Sequence, residues 1–269
     1  MNLVIDIGGT TTKFSYFISL NDLRKNFKKI PTFFNYKNFL SFIENEFKNL
    51  KIKKACVGFA GMIDKEKGKI IKAPNLLNYE NKFIKKDLEK ILKCKVYLEN
   101  DAALAGLGES IYGAGKNYKI IAYITLSTGI GGVRIVDKNI DENFCGFEPG
   151  HSLFLIDFSK IEFEEVEKII SGKAIENIFK IKPENIKDKN FWKMVNKIFA
   201  GFLVNVALFW SPEIIIIGGS LVKSLDFDQL KINFENLKTM PFKVKLVKAK
   251  LKDLSSLYGG YYMLTKNNF

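Results

Sequence analysis

Asp6 stands near the end of an apolar run, Leu3-Val4-Ile5-Asp6-Ile7. Gly8, Gly9 and Thr10 follow at once, then Thr11, Thr12 and Lys13. Glycines let backbone N–H groups close on an anion, hydroxyls and a lysine add donors, and a carboxylate at a strand end can hold a cation. That is chemistry suited to a metal-bound polyphosphate. The segment lacks both the GxxxxGK[ST] phosphate loop and the GxGxxG dinucleotide fingerprint. The competing reading is a plain hairpin turn, in which glycines serve only the bend. A second turn of the same character follows at Leu126-Ser127-Thr128-Gly129-Ile130-Gly131-Gly132. Two such hairpins in one chain are more specific than either alone, and together they could clamp one polyphosphate.

Three further constellations carry polar chemistry. Glu99-Asn100-Asp101 ends an apolar strand pattern and precedes a helical one. A helix cap would explain one of these residues, not all three. Asp101 is placed to act as general base toward a hydroxyl, and Asn100 can both donate to and accept from a sugar hydroxyl. Glu148-Pro149-Gly150-His151 contains the only histidine of the chain, beside a carboxylate, which favours a binding role. Gly218-Gly219-Ser220 ends the run Glu213-Ile214-Ile215-Ile216-Ile217 and suits the close backbone approach that a nucleotide needs. Read alone, it is equally a simple strand-to-helix turn.

These residues must be positioned by strands and helices, and the hydropathy pattern supplies them. Strands are expected at 3–7, 14–20, 27–31, 55–59, 68–73, 96–99, 118–126, 130–136, 213–217 and 244–250. Helices are expected at about 36–50, 87–93, 102–113, 164–179 with a break at Ser171-Gly172, 190–210 ending before Pro212, and 254–264. The repetition of a glycine-turned hairpin at the start of each half suggests a duplicated α/β unit with a cleft between the copies. We expect an N-terminal lobe over 1–117, a C-terminal lobe over 118–252, and a last helix at about 253–269 packing back on the first lobe.

The chain of 269 residues is 47% apolar, enough for real cores. No apolar run approaches the roughly 18 residues of a membrane span, and no leader pattern precedes the first strand, so a cytoplasmic location with no membrane partner is expected. The formal charge is +13, yet only Arg24 and Arg134 are arginines and no nucleic-acid motif occurs. Scattered solvated lysines that help attract anionic nucleotides explain that charge better than nucleic-acid binding does. Three separated cysteines, Cys56, Cys94 and Cys145, give neither a disulfide framework nor a thiolate zinc site.

In this order the motifs resemble those of the ROK family of sugar kinases, within the actin–hexokinase–heat-shock ATPase superfamily. The similarity runs through DIGGT at 6–10, GFAGMIDKEKGKIIKAPNL at 58–76, ENDAALAGLGE at 99–109, TLSTGIGG at 125–132, EPGH at 148–151 and IIIIGGS at 214–220. The resemblance implies a two-lobed ribonuclease H-like, actin-like ATPase fold with a duplicated βββαβαβα unit and an active site between the lobes. It implies ATP-dependent phosphorylation of a hexose, such as glucose or an N-acetylated hexosamine, by a homodimer. Asp101 would be the base. Asn75, Asn100, Glu148, His151 and Glu167 would join it in holding the sugar. Asp6 would hold Mg²⁺ directly or through water. Gly8, Gly9, Thr10, Thr11, Thr12, Lys13, Thr128, Gly129, Gly218, Gly219 and Ser220 would bind ATP. Such a reaction needs in-line positioning and charge stabilisation more than covalent help.

The sequence departs from the family in two places. Ala60 replaces the usual proline of its segment, which bears on substrate range. The CxCGxxGCxE zinc motif that follows E-x-G-H in many members is missing from 152–167, so no structural zinc is expected and His151 is left as a sugar contact. Packing by Leu153, Phe154, Leu155 and Phe158 would then replace the metal as local scaffold. Two other classes stay open: a sugar-responsive transcription regulator, against which the start at strand one leaves no room for a helix-turn-helix, and a sugar sensor without kinase activity, against which the retained Asp101 argues. Polyphosphate also stays open as the phosphoryl donor.

Overall fold

The computed structural model describes residues 1–266; the last three residues of the expected 253–269 helix lie outside them. The chain divides into two compact units. The first comprises Met1–Gly113, Glu142–Gly146 and the chain from Asp253 onward, and the second Ala114–Asp141 and Phe147–Lys252.

The first unit runs β1 (Asn2–Ile7), β2 (Thr11–Phe17), α1 (Asp22–Lys25), β3 (Lys28–Pro31), α2 (Tyr36–Phe47), β4 (Lys54–Phe59), β5 (Met62–Asp64), β6 (Lys69–Lys72), α3 (Ile84–Leu92), β7 (Lys95–Asn100) and α4 (Asp101–Tyr112). Its sheet has the order β3-β2-β1-β4-β7. The first three strands in sequence are antiparallel neighbours, whereas β1, β4 and β7 run parallel. Helices cover both faces, so β1 is apolar at nearly every position. Leu3, Ile5 and Ile7 join the core formed with Phe39 and Ile43 of α2 and Leu88 of α3. By strand alternation, Val4 and Asp6 face the other side. That side carries the C-terminal helix, Ser255–Thr265. Its Gly260 lies over Val4 and its Gly259 over the Leu104 carbonyl, where a methyl group would fall 1.9 Å from the oxygen. The Gly-Gly pair thus lets the helix close on both β1 and α4.

The second unit runs β8 (Ile120–Leu126), β9 (Ile130–Val136), β10 (Asn139–Ile140), β11 (Leu153–Asp157), β12 (Glu162–Glu165), α5 (Val166–Ile170), α6 (Gly172–Phe179), α7 (Lys189–Trp210), β13 (Ile214–Gly218), α8 (Phe227–Leu237) and β14 (Lys245–Lys248). Its sheet order, β10-β9-β8-β13-β14, repeats that of the first: an antiparallel three-stranded meander followed by two parallel strands. The two sheets give the duplicated α/β architecture that the paired glycine hairpins suggest. α7 is long and apolar enough, by length and composition, to cross a bilayer, although Lys193, Asn196 and Lys197 interrupt its apolar run. Here Phe199, Phe202, Leu203 and Val206 of α7 are core residues of this unit. The helix ends where Ser211 turns left-handed before Pro212.

One expectation fails in this unit. The segment after His151 is a two-stranded ribbon, β11 paired with β12 through a bulge. Only Phe154 packs on the core. Leu153, Leu155 and Phe158 are exposed, Phe158 to 86%, so they do not act as a scaffold in place of a metal. A ribbon of two strands can turn only one face inward, and the bulge and tip carry the rest to solvent.

Candidate functional site

Asp6 and Asp101 reach the same edge of the first sheet. Across the parallel strands Asp6 is in register with Gly58, and Gly58 with Glu99. This is the carboxyl end of the strands, where open α/β sheets bind ligands. Gly58 matters because any side chain there would enter this corner: its methyl position lies 3.5 Å from the Asp101 Cα and 3.7 Å from Asp6 Oδ1. Asp101 is the first residue of α4, and its Oδ1 accepts the Ala102 N–H at 2.9 Å. A helix N-terminus favours a carboxylate. Asn100 is the cap of that helix. Its Oδ1 accepts from Ala103 N at 3.1 Å and its amide donates to the Gly61 carbonyl at 3.4 Å. The cap that competed with a sugar-binding role for Asn100 is therefore present, and one amide hydrogen remains for a ligand.

The first glycine turn is shorter than the sequence suggests. Gly8 N–H donates to Thr11 O at 3.0 Å, and β2 already begins at Thr11. A side chain at Gly9 would strike the Asn75 Cβ, so Asn75 packs directly on the turn. Thr12 does not face a ligand: it is fully buried, and its hydroxyl meets that of Thr32 at 2.9 Å. Thr32, which sequence reasoning missed, also donates to Gly8 O at 2.7 Å, and its N–H bonds Thr10 O at 3.0 Å. It is the brace of this turn, and nothing in its sequence context marks it. Lys13 lies opposite Asp6 in the hairpin register. Its ammonium is 3.5 Å from Asp6 Oδ2 and 3.7 Å from Asp253 Oδ1, which places it on carboxylates and not on the turn. Burial alone would lower the Lys13 pKa, but the negative field of Asp6, Asp253 and Asp101 outweighs burial and raises it. Glu99 is also buried, paired with Lys65 at 2.7 Å, and accepts the Asn100 N–H.

In the second unit three distant segments converge on the second glycine turn. The Glu167 carboxylate accepts the Ile130 N–H at 2.6 Å and lies over Gly129, where a methyl group would fall 2.5 Å from Oε2. Gly172 N donates to Ser127 O at 2.7 Å, and Lys173 N to Thr128 O at 3.0 Å. Gly150 packs against Ile130 O, leaving no room for a side chain. The break at Ser171-Gly172 is thus the point where two short helices grip the turn; Ser171 caps the second by accepting from Ala174 N. Gly219, at φ +100°, passes the Leu126 backbone, where a methyl group would fall 2.1 Å from the carbonyl oxygen. Gly218 is in register with Thr125 of β8, so Gly218-Gly219-Ser220 borders the same turn.

His151 bonds Glu165 through Nδ1 at 2.9 Å, while its Nε2 is 3.9 Å from Glu148. Glu165 was not singled out from sequence, where it falls in the segment expected to be helical over 164–179. The hydrogen bond from His151 holds the Glu165 carboxyl below its ordinary value. Among the described residues no group of three or more His, Cys, Asp or Glu side chains is arranged to hold a metal. The single carboxylate Asp6 nevertheless suits a magnesium ion that takes most of its ligands from water and phosphate. Its Oδ1 is buried and unpartnered, which is what an acceptor awaiting a cation looks like.

A solved ROK family glucokinase from Streptomyces griseus, in complex with glucose and AMPPNP, superposes with a TM-score of 0.80. It is 20% identical, with 97% of this chain and 98% of that one covered. That likeness carries the two-lobed, actin-like ATPase fold. An uncharacterised Clostridium perfringens protein is 29% identical over 299 aligned positions, 98% of this chain and 97% of its own length. The xylose repressor of Bacillus subtilis is 36% identical over 101 residues, 37% of this chain and 25% of the repressor. The ROK family model matches residues 2–267, nearly the whole chain, and the protein belongs to the ROK family.

Proposed function

We propose that this protein is a sugar kinase that transfers the γ-phosphoryl group of ATP to a hydroxyl of a hexose. The observation that carries the reading is the pairing of two carboxylates at one strand edge: Asp101 at a helix start, and Asp6 with a buried, unpartnered oxygen. Asp101 takes the proton from the sugar hydroxyl as it attacks. Asn75, Asn100, Glu148, His151 and Glu167 hold the remaining hydroxyls. The backbone of Gly9 and Thr10, with the Thr11 hydroxyl, binds phosphate, as do Thr128 and Gly129, whereas Gly8, whose N–H and carbonyl are taken by Thr11 and Thr32, shapes the turn. Gly218, Gly219 and Ser220 admit the nucleoside. Asp6 would hold magnesium, which neutralises phosphate charge when bound. We assign Thr12 a bracing role and Lys13 a carboxylate-pairing role, and neither a phosphate contact.

A second reading is a sugar-binding regulator without turnover, favoured by the likeness to a xylose repressor. An ADP-release screen over glucose, mannose, N-acetylglucosamine, N-acetylmannosamine, fructose and xylose separates the two, with inorganic polyphosphate as an alternative donor. Sugar-dependent turnover supports the kinase. Saturable sugar binding with no turnover from either donor supports the regulator.

A further inference from the structure

Asp6 is gripped from two sides, and both grips fall on the same oxygen. Ser256, the second residue of the C-terminal helix, donates its hydroxyl to Asp6 Oδ2 at 2.6 Å, and both residues are buried. Lys13 reaches that same Oδ2 at 3.5 Å and is itself steered by Asp253, which also binds Lys29 at 3.0 Å. Oδ1 is left buried and unpartnered. A carboxylate whose two oxygens are equivalent can swing about its last torsion and offer either one. A short hydroxyl bond and an ammonium on Oδ2 remove that freedom. They also keep the Lys13 charge on Oδ2 and off the unpartnered oxygen.

We propose that Ser256, with Lys13, is a positioning residue that fixes the Asp6 carboxylate so that Oδ1 alone is offered to a divalent cation. The inference rests on the reading of Asp6 as the magnesium anchor. Residues that orient a metal ligand from behind change metal affinity by about 10–100-fold when lost.

The test is Mn²⁺ binding to the full chain with a non-hydrolysable ATP analogue, followed by electron paramagnetic resonance of the free ion. Wild type, Asp6→Asn, Ser256→Ala and Ser256→Thr are compared. We expect Asp6→Asn to abolish the protein-dependent component, Ser256→Ala to weaken it about tenfold, and Ser256→Thr, which keeps the hydroxyl, to stay within about twofold of wild type. Unchanged affinity in Ser256→Ala with loss in Asp6→Asn overturns the positioning role alone. Equal weakening in Ser256→Ala and Ser256→Thr also overturns it, since packing and not the hydroxyl would then matter. Full affinity in Asp6→Asn overturns the anchor and the inference together.

Discussion

Replacing Thr32 by valine removes one hydroxyl at nearly constant volume and exposes what holds the first glycine turn. That hydroxyl donates to Gly8 O at 2.7 Å and meets the Thr12 hydroxyl at 2.9 Å, in a position only 5% exposed. The substitution leaves a buried hydroxyl short of its partner and a turn carbonyl short of its donor. Stranding a buried polar group costs about 1–3 kcal/mol. The backbone bond from Thr32 N to Thr10 O survives, so we place the loss at about 2 kcal/mol, in the middle of that range. Urea denaturation reports it as a lower midpoint at unchanged slope. In Thr12→Val/Thr32→Val both hydroxyls are gone and none is stranded, so the double variant should lose less than the sum of the singles, with a coupling of at least about 0.5 kcal/mol. The looser turn should also raise the KM for ATP. A Thr32→Val protein within about 0.5 kcal/mol of wild type, with strict additivity and an unchanged KM, would refute the bracing argument.

Other consequences can be checked singly. Glu167→Ala strands the Ile130 N–H beside the second turn and should raise the KM for ATP about tenfold, given about 1.5 kcal/mol for a hydrogen bond to a charged group. Glu167→Gln keeps an acceptor there and should leave that KM nearly unchanged in steady-state assays. The Glu165 carboxyl lies below its ordinary 4.5 because His151 bonds it. The stability this adds is complete above that ordinary value and fades as pH falls through the lower folded value. Glu165→Gln should therefore flatten the acid side of a melting-temperature profile; an unaltered profile would show that the pair contributes nothing.

The sheets and most helices were legible in the sequence because both units bury parallel strands on two faces, leaving continuous apolar runs such as Ile214–Ile217. The turn at Gly8–Thr10 was legible as a turn, but its extent was not. Thr11, Thr12 and Lys13 alternate faces once β2 begins, and only pairing fixes where that happens. Long-range partners escaped altogether: Thr32 under the first turn, Ser256 on Asp6 and Glu165 on His151 sit in ordinary local contexts. The ribbon at 153–165 misled for a different reason. Its apolar residues look like core in one dimension, yet two strands without a covering layer leave most of them exposed.

The central claim is that Asp101 carries the proton transfer in sugar phosphorylation, and Asp101→Asn tests it most directly. The change keeps the size of the side chain and an oxygen able to accept the Ala102 N–H, while removing the base. With the best sugar from the screen, ADP release should fall by about 10²–10⁴-fold, while calorimetric affinities for the sugar and for a non-hydrolysable ATP analogue stay within a few-fold of wild type. Turnover close to wild type in Asp101→Asn would contradict the claim.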